Sequence, residues 1–214
     1  MNQSDWPQVF ERFLSEQMEA HQDGAHDLSH IRRVVHNALA LAKKEMADLA
    51  VVLPAAWLHD CVVVPKDSPL RSQASRMAAE TAVTFLHTQS YPAQHLPAIA
   101  HAIAAHSFSA QIPPETIEAK VVQDADRLDA IGAVGIARAF IIGGQLGRPI
   151  YDEDDPFCQA RPPDDFVATV DHFYTKLFKL ADTMQTEAGR REAERRTQFM
   201  HDFLAQLEKE IAVT

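Results

Sequence analysis

Leu53-Pro54-Ala55-Ala56-Trp57-Leu58-His59-Asp60 is the stretch on which the fold and the chemistry turn. Six residues with no ionisable side chain run straight into a histidine and an aspartate. An apolar run of this kind reads as a core helix, and a His and an Asp at its end would both need a partner if buried. A shared divalent ion would satisfy both, because neutral imidazole nitrogen and carboxylate oxygen are its usual donors near neutral pH. His30 upstream and Asp126 downstream complete a pattern written H…HD…D.

Outward from that stretch the chain reads as helices. Ser4-Asp5 can cap a first helix carrying Val9, Phe10, Phe13, Leu14 and Met18. A second opens near Asp27 or Ser29, with Ile31, Val34, Val35, Ala38, Leu39 and Ala42 at helical spacing. The third ends at His59-Asp60, and a loop covers 62–69. Ala74, Met77, Ala78, Ala82, Phe85 and Leu86 mark a fourth helix that stops before Tyr91-Pro92. Pro97 suits the first turn of a fifth that reaches His106. A sixth spans Glu115 to Ala125, continuing or kinking into a seventh from Arg127 to Ile142, which Gly143-Gly144 is expected to end.

Residues 146–165 carry four prolines and an acidic run, so a long surface loop is expected there, unusual enough to suggest function. Phe166, Val170, Phe173, Tyr174 and Leu177 mark an eighth helix; Phe199, Met200, Phe203, Leu204, Leu207 and Ile211 mark the last. Val62–Val64 is a weak strand candidate. The expected fold class is all-α, one domain over 1–214, with a metal-site core over about 26–130 and C-terminal helices over about 166–212.

Composition narrows the function. With 20 Lys and Arg against 30 Asp and Glu, the 214-residue chain has a formal charge of −10. Extended nucleic-acid binding, which rests on a basic footprint, is disfavoured. A small anionic substrate remains compatible through an ion and a few local cations. The N-terminus lacks the basic start and apolar core of a signal peptide, and no apolar stretch has the length of a membrane span. Cys61 and Cys158 suggest neither a metal pair nor a disulfide framework. The expected compartment is the cytoplasm; the oligomeric state is left open.

The remaining candidates follow from spacing. His26 lies one turn before His30 on the second helix. In Gln123-Asp124-Ala125-Asp126-Arg127-Leu128-Asp129, Asp126 and Asp129 fall within about 60° of one helical face, while Asp124 points about 200° from Asp126. One carboxylate could therefore bind an ion and another assist it. Lys66 and Arg71 sit on the loop after the His-Asp pair, where phosphate contacts are expected. His106, ending the fifth helix, could orient phosphate or protonate a leaving group. His172, Lys176 and Lys179 fall at i, i+4 and i+7, forming one basic helical face that could hold distal phosphates of a nucleotide if it closes the cleft. Gly132, Gly135 and Ala139 read as close helix packing, and no phosphate-binding G-x-x-x-x-G-K-[ST] loop is present.

Four motifs taken in order, His30 followed by Arg32-Arg33-Val34, then Leu58-His59-Asp60, Ala105-His106-Ser107-Phe108 and Asp124 to Asp129, resemble the HD-domain superfamily of metal-dependent phosphohydrolases. Val64 to Arg71 followed by Ser72-Gln73-Ala74-Ser75 resembles a subgroup of small single-domain bacterial members. The resemblance covers residues 26 to about 200. It implies an HD-type helical bundle, with His30, His59, Asp60 and Asp126 as metal ligands. The residues themselves add Asp60, His106 and Asp129 as catalytic candidates and His26, Lys66, Arg71, Arg127, Lys176 and Lys179 as candidate substrate contacts, of which Lys66 and Arg71 resemble substrate-contacting positions of that subgroup. Members with two ions usually carry a further His before the His-Asp pair; Leu58 stands there, so one ion is expected, Mn²⁺ or Mg²⁺ ahead of Fe²⁺, Ni²⁺ or Zn²⁺.

The resulting expectation is hydrolysis of a phosphoester or phosphoanhydride in a small molecule, with a nucleotide favoured. The alternative is a catalytically silent HD module that senses a nucleotide or a metal. A dinuclear iron oxygenase is disfavoured by Leu58.

Overall fold

The computed structural model describes residues 5–21, 28–64 and 68–211, and every element among them is helical. The helices are α1 (Trp6–His21), α2 (Leu28–Glu45), α3 (Leu49–Leu58), α4 (Ala74–Thr88), α5 (Leu96–His106), α6 (Ile117–Asp129), α7 (Gly132–Gln145), α8 (Asp171–Thr175) and α9 (Glu187–Ile211). Among the described residues Val62–Val64 forms no strand. The chain divides into two compact units, 1–126 and 127–214.

In the first unit α3 is the central element, packed against α1, α2, α4 and α5. Its sequence explains the position. Val51, Val52, Ala55, Ala56, Trp57 and Leu58 are all buried, so the helix presents apolar surface all round rather than a stripe. Asp48 caps it, accepting a hydrogen bond from the Ala50 N–H at 2.8 Å. Pro54 inside the helix lacks the N–H that would bond to the Ala50 carbonyl one turn back. The Tyr91 hydroxyl donates to that carbonyl instead, at 2.7 Å. A proline that would leave a part-buried acceptor without its helical donor is thereby tolerated.

In the second unit the last turn of α6 stops at Asp129 and α7 begins at Gly132, whose φ of +74° is open to glycine at little strain. Arg196 of α9 donates to the Leu128 carbonyl at 2.7 Å, satisfying the end of α6. Gly143 and Gly144 do not end α7, which runs on to Gln145. Gly143 serves close approach instead: a Cβ there would lie 2.1 Å from the Thr169 hydroxyl oxygen.

The loop that follows α7 is held by charge. Asp155 accepts from the N–H groups of Gln159, Ala160 and Arg161. The guanidinium of Arg161 pairs in two-pronged fashion with the buried Asp171 carboxylate, which burial alone would push up but this pairing holds below its usual range. The expected helix over Phe166–Leu177 shrinks to α8, followed by short 3₁₀ turns at Leu177–Lys179 and Ala181–Thr183. The reason is aromatic packing. Phe173 and Phe178 touch at 6.0 Å between ring centres, while Phe178 also stacks on His201. Residues five apart on a continuous helix diverge by about 140°, so the chain must leave the helix after Thr175 to bring both rings together. The last helix starts at Glu187, well before its apolar stripe becomes dense.

Tyr91→Phe should remove the hydroxyl that serves the Ala50 carbonyl and lower stability by about 1–2 kcal/mol. A reduced urea midpoint at unchanged slope is the expected result; an unchanged midpoint would mean that the carbonyl finds another donor.

Candidate metal centre

The end of α3 delivers His59 to the core with no exposed surface. Its Nδ1 lies 2.8 Å from the Ala56 carbonyl, one turn back, and a ring nitrogen facing a carbonyl must carry the proton. Nε2 is therefore left with its lone pair, and it has no hydrogen-bond partner. His106, ending α5, repeats the arrangement with Nδ1 2.6 Å from the Ile103 carbonyl. The two rings meet edge to face, 4.9 Å apart between centres, and the His30 ring stands 5.5 Å from that of His59.

Two carboxylates face these rings. Asp60 Oδ2 is 3.6 Å from His59 Nε2 and 4.0 Å from His30 Nε2. Asp126 Oδ1, from α6, is 3.6 Å from His30 Nε2 and 3.9 Å from His59 Nε2. The other oxygen of Asp60, Oδ1, lies 3.4 Å from His106 Nε2. These four distances around His30 and His59 are too long for good hydrogen bonds. They suit donors sharing an ion, since bonds of about 2.0–2.2 Å place neighbouring donors roughly 3 Å apart and opposite ones roughly 4 Å apart. Among the described residues His30, His59 and Asp60 each present one donor atom within 4.8 Å of the other two.

The electrostatics fit the same use. Burial pushes the His59 imidazolium down, against the opposing pull of Asp60, so the neutral form that ligates is favoured. For His106 burial acts in the same direction, but the bond to Asp60 and the charges of Asp60 and Asp126 outweigh it and raise its pKa.

Two buried amides set the register of these helices. Asn37 lies two turns beyond His30 on α2, and its Nδ2 donates to the Ala125 carbonyl next to Asp126 at 3.3 Å. Gln123, one turn before Asp126, donates through Nε2 to the Ala105 carbonyl beside His106 at 2.7 Å. Neither was singled out from the sequence. The signal was there for Asn37: a polar side chain on the buried stripe of Val34, Val35, Ala38 and Leu41 needs an internal partner.

The other candidates are placed as follows. Arg71 occupies a 3₁₀ turn before α4, and its Nη1 donates to the Val64 carbonyl at 3.0 Å, four residues beyond Asp60. His26 and Lys66 lie outside the described residues. Asp129 belongs to the second unit, where Arg138 pairs with it at 2.7 Å. Arg127, in the same unit, donates to the Thr183 carbonyl. The basic face expected of His172, Lys176 and Lys179 is not formed, because α8 ends at Thr175 and Lys176 has left helical geometry; His172 pairs with Asp165 at 2.7 Å. His101 accepts from the Glu115 N–H.

With this geometry in hand, comparison with known proteins is decisive. The HD domain family matches residues 27–131. Bacillus subtilis YpgQ, itself named as uncharacterized, is 37% identical over 195 residues, 89% of this chain and 86% of YpgQ. This chain belongs to the HD-domain family. The crystal structure of YpgQ in complex with ADP superposes with a TM-score of 0.71 at 36% identity, covering 96% of this chain and 97% of the other. An HD-superfamily hydrolase from Bacillus thuringiensis gives 0.74 at 33% identity, covering 97% and 99%. HD membership supports a hydrolase whose His-His-Asp cluster could hold a divalent ion. Among the described residues no single helix is long and apolar enough to cross a membrane.

Gln123→Met keeps side-chain length but leaves the Ala105 carbonyl without its donor. Gln123 bonds no candidate ligand and acts only by holding α6, which carries Asp126, to the end of α5, so calorimetric titration with Mn²⁺ should show a loss below the roughly tenfold typical of a partner bonded directly to a ligand. An unchanged Kd together with a lowered Tm would reduce Gln123 to a packing role.

Proposed function

We propose that the chain is a metal-dependent phosphohydrolase acting on a small phosphorylated molecule, a nucleotide by preference. The observation that carries this reading is His59 Nε2, wholly buried and unpartnered, facing two carboxylates and a second imidazole. His30, His59, Asp60 and Asp126 would hold one divalent ion, Mn²⁺ or Mg²⁺. Leu58, fully buried, stands where a ligand to a second ion would be needed. When bound, such an ion supplies Lewis acidity, lowering the pKa of its water and offsetting charge on phosphoryl oxygens.

The protein's own groups do the remainder. Asp60 reaches two ways, through Oδ2 toward His30 and His59 and through Oδ1 toward His106. It can thereby fix the orientation of the attacking water while His106 holds a proton at Nε2 for the leaving oxygen. Arg71, anchored through Nη1, has a rigid base from which the rest of its guanidinium can meet phosphate. Lys66, which lies outside the described residues, is the second cation of this reading on its sequence position alone. Asp129, with Arg138 as its partner, takes no part in it. The ADP in the YpgQ structure supports a nucleotide as ligand for this chain too. The features of the sequence further support a cytoplasmic setting without nucleic-acid or membrane partners.

The deciding experiment strips the metal, restores single ions and screens nucleotides, with phosphate and pyrophosphate resolved as products. His59→Ala and Asp60→Ala should lose turnover and Mn²⁺ binding while keeping helical circular dichroism. Metal-loaded protein that turns over no nucleotide would leave the silent sensing module as the better account.

Arg71→Ala should lower kcat/KM roughly 10- to 100-fold, the effect of losing one charge-assisted phosphate contact. The Kd for Mn²⁺ should not move. Parental kcat/KM in that variant would place the phosphates elsewhere.

A further inference from the structure

The turn that follows His106 presents an aromatic ring that the reaction as drawn does not use. Ser107 is extended (φ −77°, ψ 129°), Phe108–Ala110 form one 3₁₀ turn, and Gln111 closes it in the left-handed region at φ 51°. The Ser107 and Ser109 hydroxyls are 3.0 Å apart and bonded. This turn packs against the Arg71–Gln73 turn and against α4 and α5. It is thus a supported feature at the edge where Arg71 stands, and it leaves Phe108 78% exposed.

Hydrophobic side chains scattered singly on a surface are ordinary, and a phenyl ring brings about 150–250 Å² of surface wherever it stands. Among the described residues Phe108 has no ring partner, which is also true of Phe157, Phe166 and Phe199, so its place two residues beyond His106 is what sets it apart. Its Cα lies at most about 7 Å from that of His106, the span of two extended residues. His106 in turn contacts Asp60. A phosphorylated ligand held at Asp60 and Arg71 therefore has, within the length of a nucleoside, one apolar planar surface held out beside it.

We propose that Phe108 is a base-stacking platform, so that the site selects phosphate compounds bearing a planar heterocycle over bare polyphosphates or sugar phosphates. This rests on the phosphohydrolase reading and deepens it. Stacking tolerates any base because every base has a π face, so the ring would confer preference for nucleotides as a class and little discrimination among them.

The test titrates the full chain loaded with Mn²⁺ with ADP and with pyrophosphate, which share the diphosphate and differ by the nucleoside. Wild type should bind ADP at least about tenfold more tightly, within the range that single base-aromatic stacks provide. Phe108→Ala should erase that preference by weakening ADP alone. Phe108→Tyr and Phe108→Trp should restore it, and the Kd for Mn²⁺ should be the same in all four proteins. An ADP-to-pyrophosphate ratio within twofold of wild type in Phe108→Ala would overturn the inference while leaving the hydrolase reading intact. Equal loss of both ligands would also overturn it, since the ring would then support the site rather than touch the base. Failure of both ligands to bind wild type would sink the inference together with the reading beneath it.

Discussion

One buried lone pair in the first unit, that of His59 Nε2, sets the terms for the site around it. His59 can present Nε2 only because its Nδ1 is committed to the Ala56 carbonyl, and it can make that bond only because α3 is still helical there. An imidazole nitrogen in a wholly buried position with no partner would ordinarily be selected against, since an unsatisfied buried polar group costs about 1–3 kcal/mol. Its persistence is intelligible when the missing partner is an ion. The helices that converge on it bring His30, Asp60 and Asp126 to the same point, and their apolar faces provide the energy that holds these groups close.

That requirement propagates through the first unit as a series of polar exceptions in an apolar core. Asn37 ties α2 to α6, and Gln123 ties α6 to the end of α5, so three ligand-bearing or ligand-supporting helices are fixed by bonds as well as packing. Tyr91 repairs the break that Pro54 makes in α3. Apolar packing alone tolerates sliding of a helix by fractions of an ångström; a buried amide-to-carbonyl bond does not, because its energy falls steeply with angle and distance. Directional bonds are what a coordination site needs from its scaffold.

The sequence made the all-α class and the approximate position of most helices legible, because the apolar period in α2, α4 and α5 is long and regular. The His59-Asp60 pair was visible for the same reason: it ends an uninterrupted apolar run. Elsewhere periodicity misled. Phe166 to Leu177 has helical spacing, yet the chain breaks at Lys176, since a long-range aromatic cluster outweighs local preference. Gly143-Gly144 reads as a stop signal, but the glycine is needed for contact with Thr169 and the helix passes through it. Asp129 shares a face with Asp126 by helical geometry, and its pairing with Arg138 is a contact that periodicity does not show. Gln123 was hidden, because a lone amide in a run of aspartates carries no period.

The acidic character of the protein acquires a local meaning at this site. A formal charge of −10 disfavours anions at long range, and two of the negative groups are the very carboxylates at the centre. Without a cation Asp60 and Asp126 would repel one another and any phosphate; a divalent ion held between them would offset both charges. An anionic ligand would then find attraction only where the ion and a few cations such as Arg71 converge. Screening over about 8 Å at physiological ionic strength removes the distant repulsion, while a partly buried ion a few ångströms away is screened far less. Negative surface and anionic ligand are therefore compatible, and the surface charge restricts binding to the place where positive charge has been assembled.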